Sequence, residues 1–272
     1  MAKVVSIADP DDPRLADYRQ VRERDLVGRD GRFIAEGQVV IEKLVRGGRH
    51  PLRSLLVADK RVEALAPLIQ ALPPGVPVYA AGQAVMDAVV GFPIHRGLLA
   101  AGDRAEPSLE TLLAELPERA LVVGLAGIAN HDNMGGIFRN AAAFGADAVL
   151  LDDDCCDPLY RKAIRVSVGA ALTTLFARAG RAGDMVARLE QAGFDVVTLT
   201  PSAAMPLREL VPTGRQAILF GAEGPGLPAD ILARTRGISI PMAGGFDSLN
   251  VATTSGIVLH HLTRMGQASP NS

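Results

Sequence analysis

The sequence is poor in the residues that build covalent staples, metal cages and membrane spans. Its 272 residues include two cysteines, Cys155 and Cys156, no tryptophan, and only 4% aromatic residues. Adjacent cysteines cannot join distant segments, and neither a second pair nor flanking histidines supply a zinc spacing. The expectation is two reduced thiols in a reducing compartment. The histidines, His50, His95, His131, His260 and His261, likewise show no metal-ligand spacing, so no metal is expected. No apolar run approaches the length of a membrane span. The opening "MAKVVSIADPDDPRL" brings Asp and Pro too early for a signal-peptide core. A cytoplasmic protein without a membrane partner is therefore expected. The chain also lacks a charge excess: its formal net charge is −2, which excludes a general polyanion binder.

What is present is apolar and alternating. Residues of the hydrophobic class make up 48% of the chain, enough for a large core that needs no staples. From Phe33 onward, short apolar runs alternate with amphipathic ones of helix length, the pattern of α/β architecture. "RFIAEG", "LRSLLVAD", "VPVYAA" and "RGLLAA" read as strands. "QVVIEKLVRGG", "RVEALAPLIQAL" and "QAVMDAVVG" read as helices between them. This defines a small α/β domain over residues 1–104. Residues 105–119, with "EPSLETLLAELPER", read as a linker and a short helix. A longer alternation then fills 120–272, with strands "LVVGLAGI", "DAVLLDD", "LTTLFAR", "DVVTLT", "QAILFGAE" and "GISIPM". Strands this short, apolar and β-branched suit a parallel sheet covered on both faces. Basic residues cluster in "YRQVRER" with "GRDGRF", in "RGGRHPLR" and in "YRKAIR". Each alone is ordinary for a solvated face; together they suggest a basic patch.

In parallel sheets a ligand sits beyond the carboxyl ends of the strands. Three loops of the second half occupy that position: "ANHDNMGG", "FGAEGPGLP" and "IPMAGGFDSLN". In the first, Asn133 precedes a helical run and is a candidate cap. Ile137, Ala141 and Phe144 fall on one face that would pack on the sheet. Arg139 cannot join that face; it reaches either solvent or the strand ends. In the second, glycines and prolines set a tight turn around Glu223, whose bland role is to brace that turn. The order Gly221-x-x-Gly224-x-Gly226 is neither the dinucleotide fingerprint nor a phosphate-cradling loop. A nucleotide-dependent oxidoreductase is disfavoured accordingly, since "GIANHDNMGG" is not the glycine turn it needs. In the third, Ser248 is a candidate cap for an apolar helix. Its run of small residues, Ala252 to Gly256, must press closely on the loops or on another subunit.

Taken in order, Asn133-x-Gly135-x-x-x-Arg139 with "AFGADAV", then "LFGAEGPGL", then "IPMAGGFDSLNV…SGI", resemble the three signature motifs of the SpoU (TrmH) family. These are AdoMet-dependent RNA ribose 2′-O-methyltransferases of the SPOUT superfamily. "FIAEGQVVIEKLV" is similar to the RNA substrate-binding domain often fused ahead of the catalytic one. The resemblance implies a catalytic domain with a deep C-terminal trefoil knot, an exception to the rule against threading. It also implies a homodimer, S-adenosyl-L-methionine as methyl donor, and tRNA or rRNA as partner. Carried over by residue, backbone around Gly221, Ile240 and Leu249 would hold the cofactor. Arg139 would be the catalytic arginine, with Asn133, Glu223, Ser248 and Asn250 completing the site. Because guanidinium resists deprotonation, Arg139 is expected to clamp a phosphate and stabilise developing charge rather than act as a base. Two alternatives remain open: an RNA-binding relative without activity, and a superfamily member that methylates a base.

Overall fold

The computed structural model describes residues 3–19, 31–94, 96–244 and 248–267. Arg22, Arg24 and Arg29 of the first basic cluster, His95, and residues 245–247 of the third loop lie outside the described residues. The chain divides into two compact units, Met1–Ala105 with Leu159–Thr173, and Glu106–Pro158 with Thr174–Ser272.

The first unit holds strands β1 (Val4–Ile7), β2 (Arg32–Glu36), β3 (Leu52–Ala58), β4 (Val78–Ala81) and β5 (Leu98–Asp103). Helices α1 (Gln38–Gly47), α2 (Ala66–Gln70) and α3 (Gln83–Val90) connect them. The strands form one mixed sheet in the order β1-β4-β3-β5-β2, with β5 antiparallel to both neighbours. β1 escaped the sequence reading because a four-residue edge strand with one buried residue leaves almost no period to detect. α2 is shorter than "RVEALAPLIQAL" suggests. Pro67 lies in its first turn, where a missing N–H is harmless, so the helix starts there instead of running through. α1 ends as its glycines predict: Gly48 is left-handed at φ 60°, and its N–H bonds the Leu44 carbonyl.

The second unit begins with α4 (Leu109–Glu115), capped by Ser108 Oγ, which accepts from Thr111 N at 3.1 Å. There follow β6 (Ala120–Leu125), α5 (His131–Ala143), β7 (Ala148–Leu151) and α6 (Arg161–Val166), the last of which falls within the first unit. The remainder is β8 (Leu175–Arg178), α7 (Ala182–Gln191), β9 (Asp195–Leu199), β10 (Met205–Pro206), β11 (Arg215–Phe220), α8 (Ala229–Arg234), β12 (Arg236–Ser239) and α9 (Val251–Gln267). Every pairing in this sheet is parallel, in the order β10-β12-β9-β11-β6-β7-β8. One face buries Val122, Leu150, Ala217 and Leu219 against Met185, Val186 and Leu189 of α7. From β6 the chain steps outward through β7 and β8, then returns on the other side. The order therefore reverses between β6 and β11, which places a crevice beyond Leu125 and Phe220.

α5 and α9 pack against each other, which accounts for the small residues of "ATTSG". A Cβ on Gly136 would fall 2.7 Å from the Ala252 Cβ, closer than two such carbons ever sit. Asn140 Nδ2 donates to the Ala252 carbonyl at 2.7 Å and to Ser255 Oγ at 3.0 Å. Of the three residues expected to meet the sheet, Ile137 and Ala141 are fully buried, but Phe144 is not. Phe138 takes that place, edge-on to Phe176, while Phe144 meets His260 of α9 at 5.7 Å between ring centres.

The basic clusters are partly spent inside the first unit. Arg53 pairs with Asp17 and Asp103, and Arg32 with Asp17. Arg161 of "YRKAIR" is half-buried, bonded to Glu36 at 2.7 Å and stacked 4.8 Å from the Phe92 ring centre. Lys43 Nζ donates to the carbonyl of Val168, which holds an uncommon φ of 52°. Exposed charge remains at Arg46, Lys162 and Arg165.

Candidate active site

Three loops leave the carboxyl ends of β6, β11 and β12. The first is tied to the end of β7. Both Asp152 carboxylate oxygens accept from Gly127 N at 3.0 Å. Cys155 Sγ accepts from Ile128 N at 3.3 Å and donates to the Leu125 carbonyl at 3.4 Å. Burial, reinforced by the Asp152 charge, pushes the Cys155 thiol far up, so it serves here as a neutral donor. The chain thus enters α5 along a fixed path.

The cap of α5 is Asn130, not Asn133: its Oδ1 accepts from Asp132 N at 2.7 Å and Asn133 N at 3.4 Å. The helix starts one turn earlier than the sequence suggests. Asn133 is consequently inside the first turn, 7% exposed, with its side chain free to meet another element. It meets Asn250, whose Nδ2 donates to Asn133 Oδ1 at 2.8 Å and to Glu223 Oε1 at 3.2 Å. Asn250 Oδ1 accepts from Ala252 N at 3.0 Å and Thr253 N at 3.1 Å. Asn250 therefore caps α9 in place of Ser248. Its amide, from the third loop, joins one side chain from each of the other two.

The second loop folds back upon itself, with Gly226 N bonded to the Ala222 carbonyl at 3.0 Å. This return explains Gly221. A Cβ there would lie 2.4 Å from the Gly226 carbonyl carbon and 2.5 Å from Leu227 N, backbone atoms that cannot give way.

Above the strand ends lies a cavity of about 640 Å³, a size typical of sites for small organic ligands. Gly221, Ile240 and Leu249 all line it, as do Glu223, Ser248 and Asn250. Asn133 adjoins it through Asn250. Arg139 does not line it. It is exposed on α5, six residues beyond Asn133, which is about 9 Å along the axis and about a third of a turn round it. Arg139, three residues from Gly136, stands at the edge of the face that Asn133, Gly136 and Asn140 present to α9, with its side chain exposed. Sequence reasoning missed Leu199, Thr200 and Pro201, which form a further wall beyond β9. The available signal was the strand "DVVTLT" stopped by a proline, which any parallel sheet would place beside the other strand ends.

The lining is chemically selective. Glu223 is the only charged residue among the described lining residues, and no Lys or Arg joins it. Such a wall suits a neutral or cationic organic ligand and, among the described residues, supplies no cationic side chain to a pyrophosphate. Its buried members are Phe220, Val251 and Thr254, while Glu223, Ser248, Leu249 and Asn250 are exposed at the rim. Among the described residues no group of His, Cys, Asp and Glu is arranged to hold a metal ion.

A parallel sheet with a glycine-walled cleft at its reversal point defines a ligand-binding α/β domain. The SpoU rRNA methylase family matches residues 120–260, which takes in all three loops. An uncharacterized tRNA/rRNA methyltransferase of Mycobacterium tuberculosis is 40% identical across 97% of this chain and 93% of its own length. The 23S rRNA (guanosine-2′-O-)-methyltransferase RlmB of Escherichia coli strain K12 is 33% identical across 76% of this chain and 86% of its own. In fold, the AdoMet-bound rRNA methyltransferase from Sinorhizobium meliloti superposes with a TM-score of 0.82 at 23% identity, covering 96% of this chain and 98% of that one. The chain belongs to the SpoU rRNA methylase family.

Proposed function

We propose that the protein transfers a methyl group from S-adenosyl-L-methionine to a ribose 2′-hydroxyl of rRNA or tRNA. The observation that carries this reading is the Asn133–Asn250–Glu223 junction, which closes three family loops around one cavity. The cavity fits the methyl donor by size, by its lack of basic lining residues, and by the single carboxylate at its rim, a favourable neighbour for a sulfonium and an ammonium. Backbone around Gly221, Ile240 and Leu249 holds the donor, whose methyl group arrives already activated. The chain's own task is to place the sugar oxygen in line and stabilise the charge it gains. Arg139 serves by binding a phosphate or the developing oxyanion, since its exposed guanidinium has no hydrogen-bond or ion-pair partner among the described residues. Ser248 lies at the rim, where the RNA enters, and Asn133, Glu223 and Asn250 fix the loops.

Residues 1–104 act as the RNA substrate-binding domain, 105–119 as linker and short helix, and 120–272 as the catalytic domain. RNA is gripped through phosphates at Arg46, Lys162 and Arg165, and the 2′-hydroxyl separates RNA from DNA. The family's trefoil knot accounts for α9 lying against α5 although β12 is three strands from β6. A homodimer, with exposed Leu249 and Ile257 in its interface, completes the reading, for a protein working in the cytoplasm. The test is incubation with methyl-labelled donor and separated rRNA and tRNA, followed by nucleoside analysis. A 2′-O-methyl nucleoside is expected. A methylated base, or RNA binding without label, refutes the proposal.

A further inference from the structure

Thr254 is the one polar side chain among the described buried residues that line the cavity. It shares the inner end with Phe220 and Val251, and all three are buried, Thr254 at 6% exposure. It stands one turn beyond Asn250, so Asn250, Val251 and Thr254 form the cavity face of α9, while Ala252 and Ser255 face α5. Its backbone N–H is used, bonded to the Asn250 carbonyl at 2.9 Å. Its hydroxyl has no hydrogen-bond partner among the described residues, not even the preceding-turn carbonyl that helical threonines commonly use. Nor is that oxygen sealed off among the enclosed unpaired atoms, so it opens onto the cavity it lines. An accessible hydroxyl with no partner among the described residues is available to an atom of a bound ligand, which valine in the same space would not be.

We infer that Thr254 is a ligand-recognising residue whose hydroxyl bonds the adenine edge of the methyl donor. The inference rests on the proposed function above and adds to it a side-chain contact to the donor, where the residues named so far offer backbone. Among the described residues the inner end is apolar apart from this hydroxyl, and the charged residue, Glu223, stands at the rim. A flat, uncharged ring is the donor's least hydrated part and belongs inside, whereas its ammonium and carboxylate belong at the wet end. A hydroxyl both donates and accepts, so it matches a ring nitrogen or an exocyclic amine.

The test compares Thr254→Val and Thr254→Ser with the full-length wild type by calorimetry, using S-adenosylhomocysteine and 5′-methylthioadenosine, which lacks the amino-acid end. Melting temperatures without ligand establish that each variant folds. Thr254→Val should weaken both ligands by the same factor, about 3- to 10-fold for one neutral hydrogen bond, and Thr254→Ser should restore both. Unchanged binding of both ligands overturns the inference, as does weakening confined to S-adenosylhomocysteine. If Thr254→Val does not fold, Thr254→Ala takes its place with the same expected pattern. A wild type that binds neither ligand is a different outcome, since it refutes the methyltransferase reading of the cavity itself.

Discussion

Replacing Asn250 separates its three roles, because its two side-chain atoms do different things. In Asn250→Ala the α9 cap is lost, which costs about 1 kcal/mol. Asn133, only 7% exposed, loses the donor to its Oδ1, and an unsatisfied buried acceptor costs about 1–3 kcal/mol. Glu223 is exposed and regains water, so its lost bond adds little. The expected loss is about 2–4 kcal/mol in all. Asn250→Asp keeps an oxygen that accepts from Ala252 N and Thr253 N and gains from the helix dipole. Asn133 can turn its amide to donate to the new carboxylate, but Glu223 cannot. That like-charge contact costs about 1 kcal/mol at most for exposed groups. The order at neutral pH is therefore wild type, then Asn250→Asp, then Asn250→Ala. Urea denaturation of the three proteins at neutral pH measures this order. An Asn250→Ala loss below about 0.5 kcal/mol, within the range of ordinary surface changes, means that Asn250 does not join the loops.

Arg139→Ala should leave unfolding free energy within about 0.5 kcal/mol and lower methyl transfer on the order of 10²–10³-fold; near-normal turnover in a labelled-methyl assay removes Arg139 from the mechanism. His50 is 2% exposed, and burial, then the charges of Arg49 and Arg104, hold its imidazole down at about 4. A lowered folded-state pKa means stability is full above about 6.5 and is lost as pH falls toward 4, by about 3 kcal/mol. His50→Gln should flatten that part of the pH–stability curve, and an NMR titration of His50 near 6.5 would contradict the burial argument. Burial, then the charge of Asp157, pushes the Cys156 thiol up to about 11. Its alkylation by iodoacetamide should be slow at neutral pH and still rising tenfold per pH unit between about 8 and 10; a plateau in that range contradicts the assignment.

Sheet order and loop chemistry differed in how far the sequence could express them. Strands β6 to β9, β11 and β12 were legible because each is a short, largely apolar run, most with β-branched residues, and that composition already implies a parallel sheet with both faces covered. The cleft was legible because Gly221, Glu223, Ile240, Ser248, Leu249 and Asn250 fall in loops at strand ends. The caps were misread, since "NHDN" offers two asparagines three residues apart and either can cap. The choice falls to Asn130 because Asn133 is occupied by Asn250, 117 residues away in sequence. No local pattern carries that contact. The same applies to Arg161, which looked like part of a solvated basic face until Glu36, 125 residues earlier, claimed it. Thr254 was passed over for a related reason. As one of a run of small residues it looked like packing material, and only the division of α9 into two faces distinguishes it from Ala252 and Ser255.

That division also explains why so many small residues sit in one place. α9 has to satisfy two surfaces at once: α5 on one side, through Ala252 and Ser255, and the cavity on the other, through Asn250, Val251 and Thr254. Helix pairs usually lie 8–10 Å apart, with larger side chains taking up misfit between them. Here Gly136 brings α5 so close to Ala252 that one added carbon at Gly136 would fall inside contact distance. Little slack remains for α9 to turn or slide. Asn140 reinforces this by gripping a backbone carbonyl, whose position a rotamer change in α9 cannot alter. The cavity face of α9 is therefore held from behind by packing. The cap at Asn250 then transfers that fixed position to Asn133 and Glu223, so three loops with little regular structure of their own inherit the rigidity of a helix pair. In-line transfer tolerates little misplacement of its reacting atoms, and a site made of glycine loops could not meet that demand without such a brace.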